Sequence, residues 1–257
     1  MHGKFFWYDI MTADTRAAAD FYQAVLGWNV EDSGVPGQEY RLFKVGDRPV
    51  AGLMPIPDTI KDSARPVWLG YVQVDDVDRA VADIMMAGGQ VHRPPTDVPG
   101  VLRFAVVADP QGAVFLVATT LGQSAPDLPP GTLGAVGWHE LYAESWSSVF
   151  PFYERLFGWT RTEALDMGPM GTYQLVATPG AVTESGSAVG MMNKPAEISR
   201  PYWGYYFNVD AIDAAAERVK AAGGTPMMAP EEVPGGLWIL HAVDPQGAHF
   251  ALLARQR

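Results

Sequence analysis

The chain has no cysteine among its 257 residues. That excludes a disulfide framework, a thiolate metal site and a thiol nucleophile. No uninterrupted apolar run approaches the roughly 20 residues that a membrane-spanning helix needs, so no membrane partner is expected. Met1-His2-Gly3-Lys4 leads directly into the strand-like Phe5-Phe6-Trp7-Tyr8, with no export signal, and a cytoplasmic location follows as the expectation. Basic residues are few. The 18 Lys and Arg are outnumbered by 29 Asp and Glu, for a formal charge of −11. Such a surface repels nucleic acid phosphates. It favours solubility, and it steers cationic ligands inward over long range. The Gly pairs follow helices and lack a phosphate-loop context, so no nucleotide motif is read and no cofactor is expected. No Ser–His–Asp arrangement can be claimed from spacing.

What the chain does contain, it contains twice. Phe21-Tyr22 and Gly27-Trp28 return 131 positions later as Phe152-Tyr153 and Gly158-Trp159. Pro66-Val67-Trp68 returns as Pro201-Tyr202-Trp203, at an offset of 135. Val74-Asp75, Gly88-Gly89, Val98-Pro99-Gly100 and Asp109-Pro110-Gln111-Gly112-Ala113 recur at the same 135. A near-constant offset over so many landmarks is a tandem duplication. The expected division is a domain at 1–121, a linker at 122–134 holding Ser124, Pro126, Pro129, Pro130 and Gly131, and a second domain at 135–257. Hydrophobic content of 48% is enough for a core in each.

Each half divides again. Residues 5–11 read as a strand. Asp14 can cap a helix whose buried stripe is Ala18, Phe21, Tyr22 and Val25, closed by Gly27. Strands are expected near 28–32, 39–45 and 50–54. The order then restarts with a strand at 67–74, a helix with the stripe Val77, Val81, Ile84 and Met85, and strands near 89–92, 101–108 and 113–119. In the second half the stripes are Val149, Phe152, Tyr153 and Leu156, then Ile212, Ala216 and Val219. The reading is an α+β fold with two βαβββ modules per half, each half forming a cup-shaped curved sheet.

This pattern resembles the vicinal-oxygen-chelate superfamily of glyoxalase I, extradiol dioxygenases and bleomycin-resistance proteins. The residues carrying the likeness are Asp14 through Phe21-Tyr22 to Gly27-Trp28, Val74-Asp75-Asp76 to Gly88-Gly89, Asp109-Pro110-Gln111-Gly112, and their second-half counterparts. Trp7-Tyr8-Asp9-Ile10 and Trp138-His139-Glu140-Leu141 are similar to the tandem glyoxalase-like proteins of actinobacteria. In metal-dependent members, the resemblance implies two histidines and two carboxylates around a divalent ion. Carried onto this chain, those four positions fall on Trp7, near Gly52, on Leu69 and on Leu116. In the second half they fall on Trp138, near Gly190, on Gly204 and on Ala251. Neither half is therefore expected to keep the family metal.

Strand alternation puts Asp9 and Met11 on the side of Trp7, and Glu140 and Tyr142 on the side of Trp138. An acid at one inward position in both halves is a candidate base or ligand acceptor. The other reading pairs Asp9 and Glu140 with backbone amides or an arginine such as Arg41, Arg103 or Arg200. His249 shares a face with Ala251, so an approach to Glu140 and acid–base work are considered. His241 and His249 correspond to Val106 and Val114 in the first half. His2 and His92 are expected in solvent. Trp7, Trp68 and Phe115, and Trp138, Trp203, Tyr205, Phe207 and Phe250, are candidates to stack on a flat ligand. Packing between sheet and helix is the competing reading for any one of them. The methionine pairs read as adaptable packing.

Three functions stay open at this level. One is a metal-independent binder of a small aromatic or cationic molecule. The second is a glyoxalase-like lyase, isomerase or hydroxylase acting on a small carbonyl compound, with Glu140 or Asp9 as base. The third is a non-catalytic interaction or regulatory protein. A monomer with internally paired domains and a homodimer are both compatible with the duplication.

Overall fold

The structure is a computed structural model and describes residues 2–257 apart from 36, 38, 123–126 and 181–186. Ser124 and Pro126 of the expected linker lie outside the described residues. The chain begins β1 (Phe5–Thr12), α1 (Thr15–Leu26), β2 (Asn29–Asp32), β3 (Arg41–Val45) and β4 (Arg48–Pro55). It repeats the plan as β5 (Val67–Gln73), α2 (Val77–Met86), β6 (Gln90–Val98), β7 (Leu102–Ala108) and β8 (Val114–Thr120). The third module is β9 (Val136–Ala143), α3 (Trp146–Phe157), β10 (Thr160–Asp166), β11 (Thr172–Ala177) and β12 (Val189–Asn193). The fourth is β13 (Tyr202–Asn208), α4 (Ile212–Ala221), β14 (Thr225–Pro226), β15 (Glu231–Val233), β16 (Leu237–Val243) and β17 (His249–Ala254). Among the described residues, no helix is long and apolar enough to cross a membrane.

Local chemistry explains where the helices start and stop. Asp14 is extended and accepts from the Arg16 and Ala17 amides, which have no partner inside the first turn. Gly27 closes α1 at φ 71°, and Gly158 closes α3 at φ 68°, in the left-handed region that a side chain disfavours. The stripes of α1 and α4 are buried as expected. In α2 the stripe ends at Ile84, and Met85 is 61% exposed. In α3 Phe157 is buried and Leu156 only half so.

The first sheet runs β2-β3-β4-β1-β5-β8-β7-β6, and the second runs β10-β11-β12-β9-β13-β17-β16-β14, with β15 also paired to β16. The expected cup-shaped curved sheet is not what forms. Both sheets are open and run from one edge strand to another. The edge sequences suit this. β10 is exposed over all but one residue, and β6 carries Pro94 and Pro95, which have no N–H to offer a further strand.

The chain also divides into two compact units, each taking segments from both repeats. The first unit is Met1–Phe6, Gly70–Pro130 and His139–Trp203, and the second is Trp7–Leu69, Gly131–Trp138 and Gly204–Arg257. In the first, the Tyr153 hydroxyl donates to Asp109 Oδ2 at 2.9 Å and accepts from the Trp203 indole at 3.2 Å. In the second, the Tyr22 hydroxyl donates to Asp244 Oδ2 and accepts from the Trp68 indole at 2.8 Å. Phe-Tyr, Pro-x-Trp and Asp-Pro-Gln-Gly, the three clearest repeated landmarks, thus meet as one buried triad in each unit. Asp109 is fully buried. Desolvation pushes its carboxyl up, against the donation it receives from the Ala113 amide and Tyr153. The turn glutamines extend the pattern. Gln111 bonds both the amide and the carbonyl of Ser145, the residue before α3, and Gln246 accepts from the Asp14 amide before α1.

Candidate functional site

In the second unit, β1 and β4 run parallel with Asp9 opposite Gly52 and Met11 opposite Met54. β3 pairs with β4 so that Leu42 lies opposite Gly52. Tyr40, two residues before Leu42, therefore comes up on the side of Asp9. Its hydroxyl donates to Asp9 Oδ1 at 2.7 Å. The Trp7 indole, two residues before Asp9, donates to the same oxygen at 2.9 Å and to the Tyr40 oxygen at 2.9 Å. Asp9 is 2% exposed, while Trp7 and Tyr40 are half-buried above it. Burial and the Asp9 charge together hold the Tyr40 phenol well above its ordinary range, so it stays a donor. Glycine at 52 is a requirement of this arrangement, because a Cβ there would run into the Tyr40 hydroxyl and Asp9 Oδ1.

The first unit repeats the device with different side chains. β9 and β12 run parallel with Glu140 opposite Gly190, and Leu175 of β11 faces Gly190 from the other side. Tyr173 stands two residues before Leu175, as Tyr40 stands before Leu42, and a Cβ on Gly190 would meet its hydroxyl. Glu140 is 3% exposed. Tyr202 stacks on Tyr142 with ring centroids 4.8 Å apart. Burial first, and then the Glu140 charge, raise the Tyr202 phenol above its ordinary range. Both acids thus have protonated phenols as neighbours.

The donors to Asp9 include a phenol and an indole. Arg103 is held elsewhere, by Asp78 and Asp97 at 2.8 Å each. The sequence reading missed Tyr40 and Tyr173. A signal was present, since Tyr40-Arg41-Leu42 returns as Tyr173-Gln174-Leu175, 133 positions later.

The remaining candidates lie in several places. Trp68 is 3% exposed and packs on Tyr22, Trp28 and Phe207, while Phe250 packs on Phe21 and Tyr22. Trp203 and Phe115 pack on Tyr153 of α3, and Tyr205 meets Tyr8 edge-on. These six side chains belong to the core that the helices cover. Trp138 is half-buried on β9. His249 is exposed at the start of β17. His2, expected in solvent, is half-buried and lies 2.8 Å from the Leu156 carbonyl oxygen. His139 bonds the Ala188 carbonyl through Nδ1 at 2.9 Å and stacks on Phe5, and burial lowers its pKa to about 4.

A profile of the Glyoxalase/Bleomycin resistance protein/Dioxygenase superfamily matches residues 4–117 and again 136–252. The chain belongs to that superfamily. It is similar to a protein named "Putative glyoxylase CFP32" from Mycobacterium tuberculosis, with 31% identity over 96% of this chain and 93% of that one. It is also similar to the anthracycline biosynthesis protein DnrV of Streptomyces peucetius, with 30% identity over 96% and 91%. Among solved structures, the Mn(II)-bound glyoxalase of Novosphingobium aromaticivorans aligns over 100% of this chain and 83% of its own, at TM-score 0.66 and 19% identity. The 2,2',3-trihydroxybiphenyl 1,2-dioxygenase of Sphingomonas wittichii aligns over 99% and 91%, at TM-score 0.68 and 13% identity. These structural likenesses establish the shared fold. The chain carries the tandem glyoxalase-like architecture of the superfamily.

The metal of the metal-dependent superfamily members does not fit these residues. Where the family pattern calls for a carboxylate, Gly52 and Gly190 occupy the register positions facing Asp9 and Glu140. Leu116 and Ala251 occupy the last position, opposite Tyr71 and Tyr206. Among the described residues, no group of three or more His, Asp or Glu side chains is placed to hold a metal ion.

Proposed function

We propose that this superfamily member binds a small, planar or cationic organic molecule at its buried acids, without the metal of its metal-dependent relatives. The observation that carries this reading is the Asp9 carboxylate, capped by Tyr40 and Trp7 over Gly52. A buried carboxylate with a pre-oriented phenol and indole beside it offers an anionic acceptor and a flat aromatic wall. Met11 adds an adaptable apolar contact along the same strand. In the first unit Glu140 lies beside the Tyr202 phenol, with Tyr173 over Gly190 and Tyr142 stacked on Tyr202. The charge of −11 favours a cation by steering. The likeness to an anthracycline biosynthesis protein supports a polycyclic aromatic ligand.

The test is calorimetric titration of the whole chain with an anthracycline, with acridine orange as a metal-free planar cation. It is run before and after chelation and dialysis against Mn(II), with elemental analysis alongside. Saturable binding that survives chelation and weakens in Asp9→Asn is the expected result. Stoichiometric metal, or binding that depends on Mn(II), would overturn it. An enzymatic reading rests on the same acids. A buried carboxylate is suited to take a proton from a carbon next to a carbonyl, and glyoxalase-like names among the relatives favour that chemistry.

A further inference from the structure

α1 and α3 end alike, and a neighbouring segment holds each end. Trp159, just after α3, donates its indole N–H to the Gly3 carbonyl at 2.6 Å, and the Gly3 amide donates to the Gln73 carbonyl at 2.8 Å. Trp28, just after α1, donates to the Gly134 carbonyl at 3.0 Å, and the Gly134 amide donates to the Asn208 carbonyl at 2.8 Å. Gly3 and Gly134 stand 131 positions apart, the offset of the helices themselves. Both have positive φ, and a Cβ would strike the Phe157 carbonyl at Gly3 and the Trp28 indole at Gly134.

The residue before the glycine differs. It is His2 in one case and Leu133 in the other. In the second unit the Val25 carbonyl, in the last turn of α1, accepts from Arg218 Nε at 3.1 Å, and the same guanidinium reaches Asp210 at 2.8 Å. In the first unit the matching carbonyl belongs to Leu156, and the position matching Arg218 is Asp83. Asp83 pairs with Arg79 and has no N–H to give. His2 takes over the task. Its Nε2 lies 2.8 Å from the Leu156 oxygen, and its Nδ1 lies 3.7 Å from Oδ2 of Asp75, the counterpart of Asp210. The same pair of acceptors, a helix-end carbonyl and an aspartate, is thus bridged by a permanent cation in one unit and by an imidazole in the other.

A carbonyl oxygen only accepts, so Nε2 carries a hydrogen. In the neutral ring Nδ1 then turns a lone pair toward a carboxylate. Nδ1 is buried and, among the described residues, has no hydrogen-bond partner. In the charged ring it becomes an N–H at ion-pair distance from Asp75, and the positive charge lies at the negative end of α3. We propose that His2 is a proton-operated clamp on the C-terminal end of α3, which closes on Asp75 when the imidazole is charged and loosens when it is neutral. Histidine is the side chain suited to this, since its charge changes between about pH 5 and 8. Facing His2 are Asp75 from the β5–α2 connection and, from α3, the Leu156 carbonyl and the Phe157 ring. Lys4, on the same segment as His2, is paired with Asp127. The clamp is independent of any ligand bound at Asp9 or Glu140.

The test is amide hydrogen exchange of the intact chain at about pH 5.5 and about pH 8, either side of the histidine range. The readout is the protection of the Gly158 amide relative to that of Gly27. These two amides make the same 3.0 Å bond, to the Glu154 and Gln23 carbonyls, at the ends of α3 and α1. Gly27 is the reference because its end is held by Arg218, which does not titrate here. It also cancels the opposite slope from His139 and His241. Burial lowers both to about 4, with the His249 charge acting further on His241. In the wild type the ratio should be about threefold higher at the lower pH, the worth of one partly exposed ion pair. It should be flat in His2→Leu, which installs the side chain found at 133, and its pH dependence should shrink in Asp75→Asn. A flat ratio in the wild type would overturn the proposal, and that measurement needs no variant to fold. So would a pH-dependent ratio that persists in His2→Leu or is undiminished in Asp75→Asn.

Discussion

Tyr22 donates its hydroxyl to Asp244 Oδ2 at 3.0 Å, across 222 positions of sequence. The matching bond from Tyr153 to Asp109 runs the other way along the chain, from the second repeat back to the first. The helix of one repeat is thus bonded to the turn of the other. These are buried bonds, and removing the donor leaves a carboxylate in apolar surroundings with one partner fewer.

Tyr153→Phe should therefore destabilise the chain by about 1–3 kcal/mol, and Tyr22→Phe by a similar amount, with the fold retained. Urea unfolding of each variant and of the double variant checks this. The two triads share no hydrogen-bond partner, so the losses should add.

Gly52→Ala and Gly190→Ala should each displace the tyrosine that lies over the glycine. Overpacking of this kind costs about 1–3 kcal/mol. The variants should melt earlier and lose most of any ligand-induced rise in melting temperature, which thermal shift with and without ligand measures.

His139 and His241 give the stability a defined pH dependence. Their folded-state pKa values, about 4, lie below the ordinary 6.5. Between those values the unfolded chain holds protons that the folded chain does not. Stability should be full above 6.5, fall as the pH drops toward 4, and level off for these groups below it. Each histidine accounts for ~3 kcal/mol of that loss at most. His139→Gln should remove its share of the slope, measured by urea unfolding across this range.

For any carbonyl substrate that the chain turns over, Glu140→Gln or Asp9→Asn should identify the base. The responsible variant should lose roughly 100- to 10,000-fold in kcat with substrate affinity mostly retained. Equal turnover in both variants would remove both acids from the chemistry.

Much of the architecture was legible because it rests on short-range rules. Asp14 and Gly27 mark the ends of α1 through capping chemistry alone, and the strands begin and end within a few residues of their turn signals. The duplication announced the triads, although not that each would be assembled from both repeats. Sheet closure was not legible, because alternation fixes which residues share a face and says nothing of curvature. The same limit applied to Trp68 and Trp203. Their alternation with Leu69 and Gly204 was clear, but which side the helix covers depends on a helix elsewhere in the chain. Tyr40 was hidden for a related reason. It reaches Asp9 only through the pairing of β3 with β4, which contains an irregularity between Phe43 and Lys44.

The exchange of tyrosines and carboxylates between repeats also bears on how such a chain could arise. A single repeat, made as a free polypeptide, would carry both a tyrosine donor and a turn aspartate, yet the bonds seen here join different repeats. Two copies would have to find one another, and their stability would depend on dilution. Joining the copies end to end replaces that encounter with a fixed local concentration. The two sets of sites are then free to diverge, as Ala251 and His241 have from Leu116 and Val106.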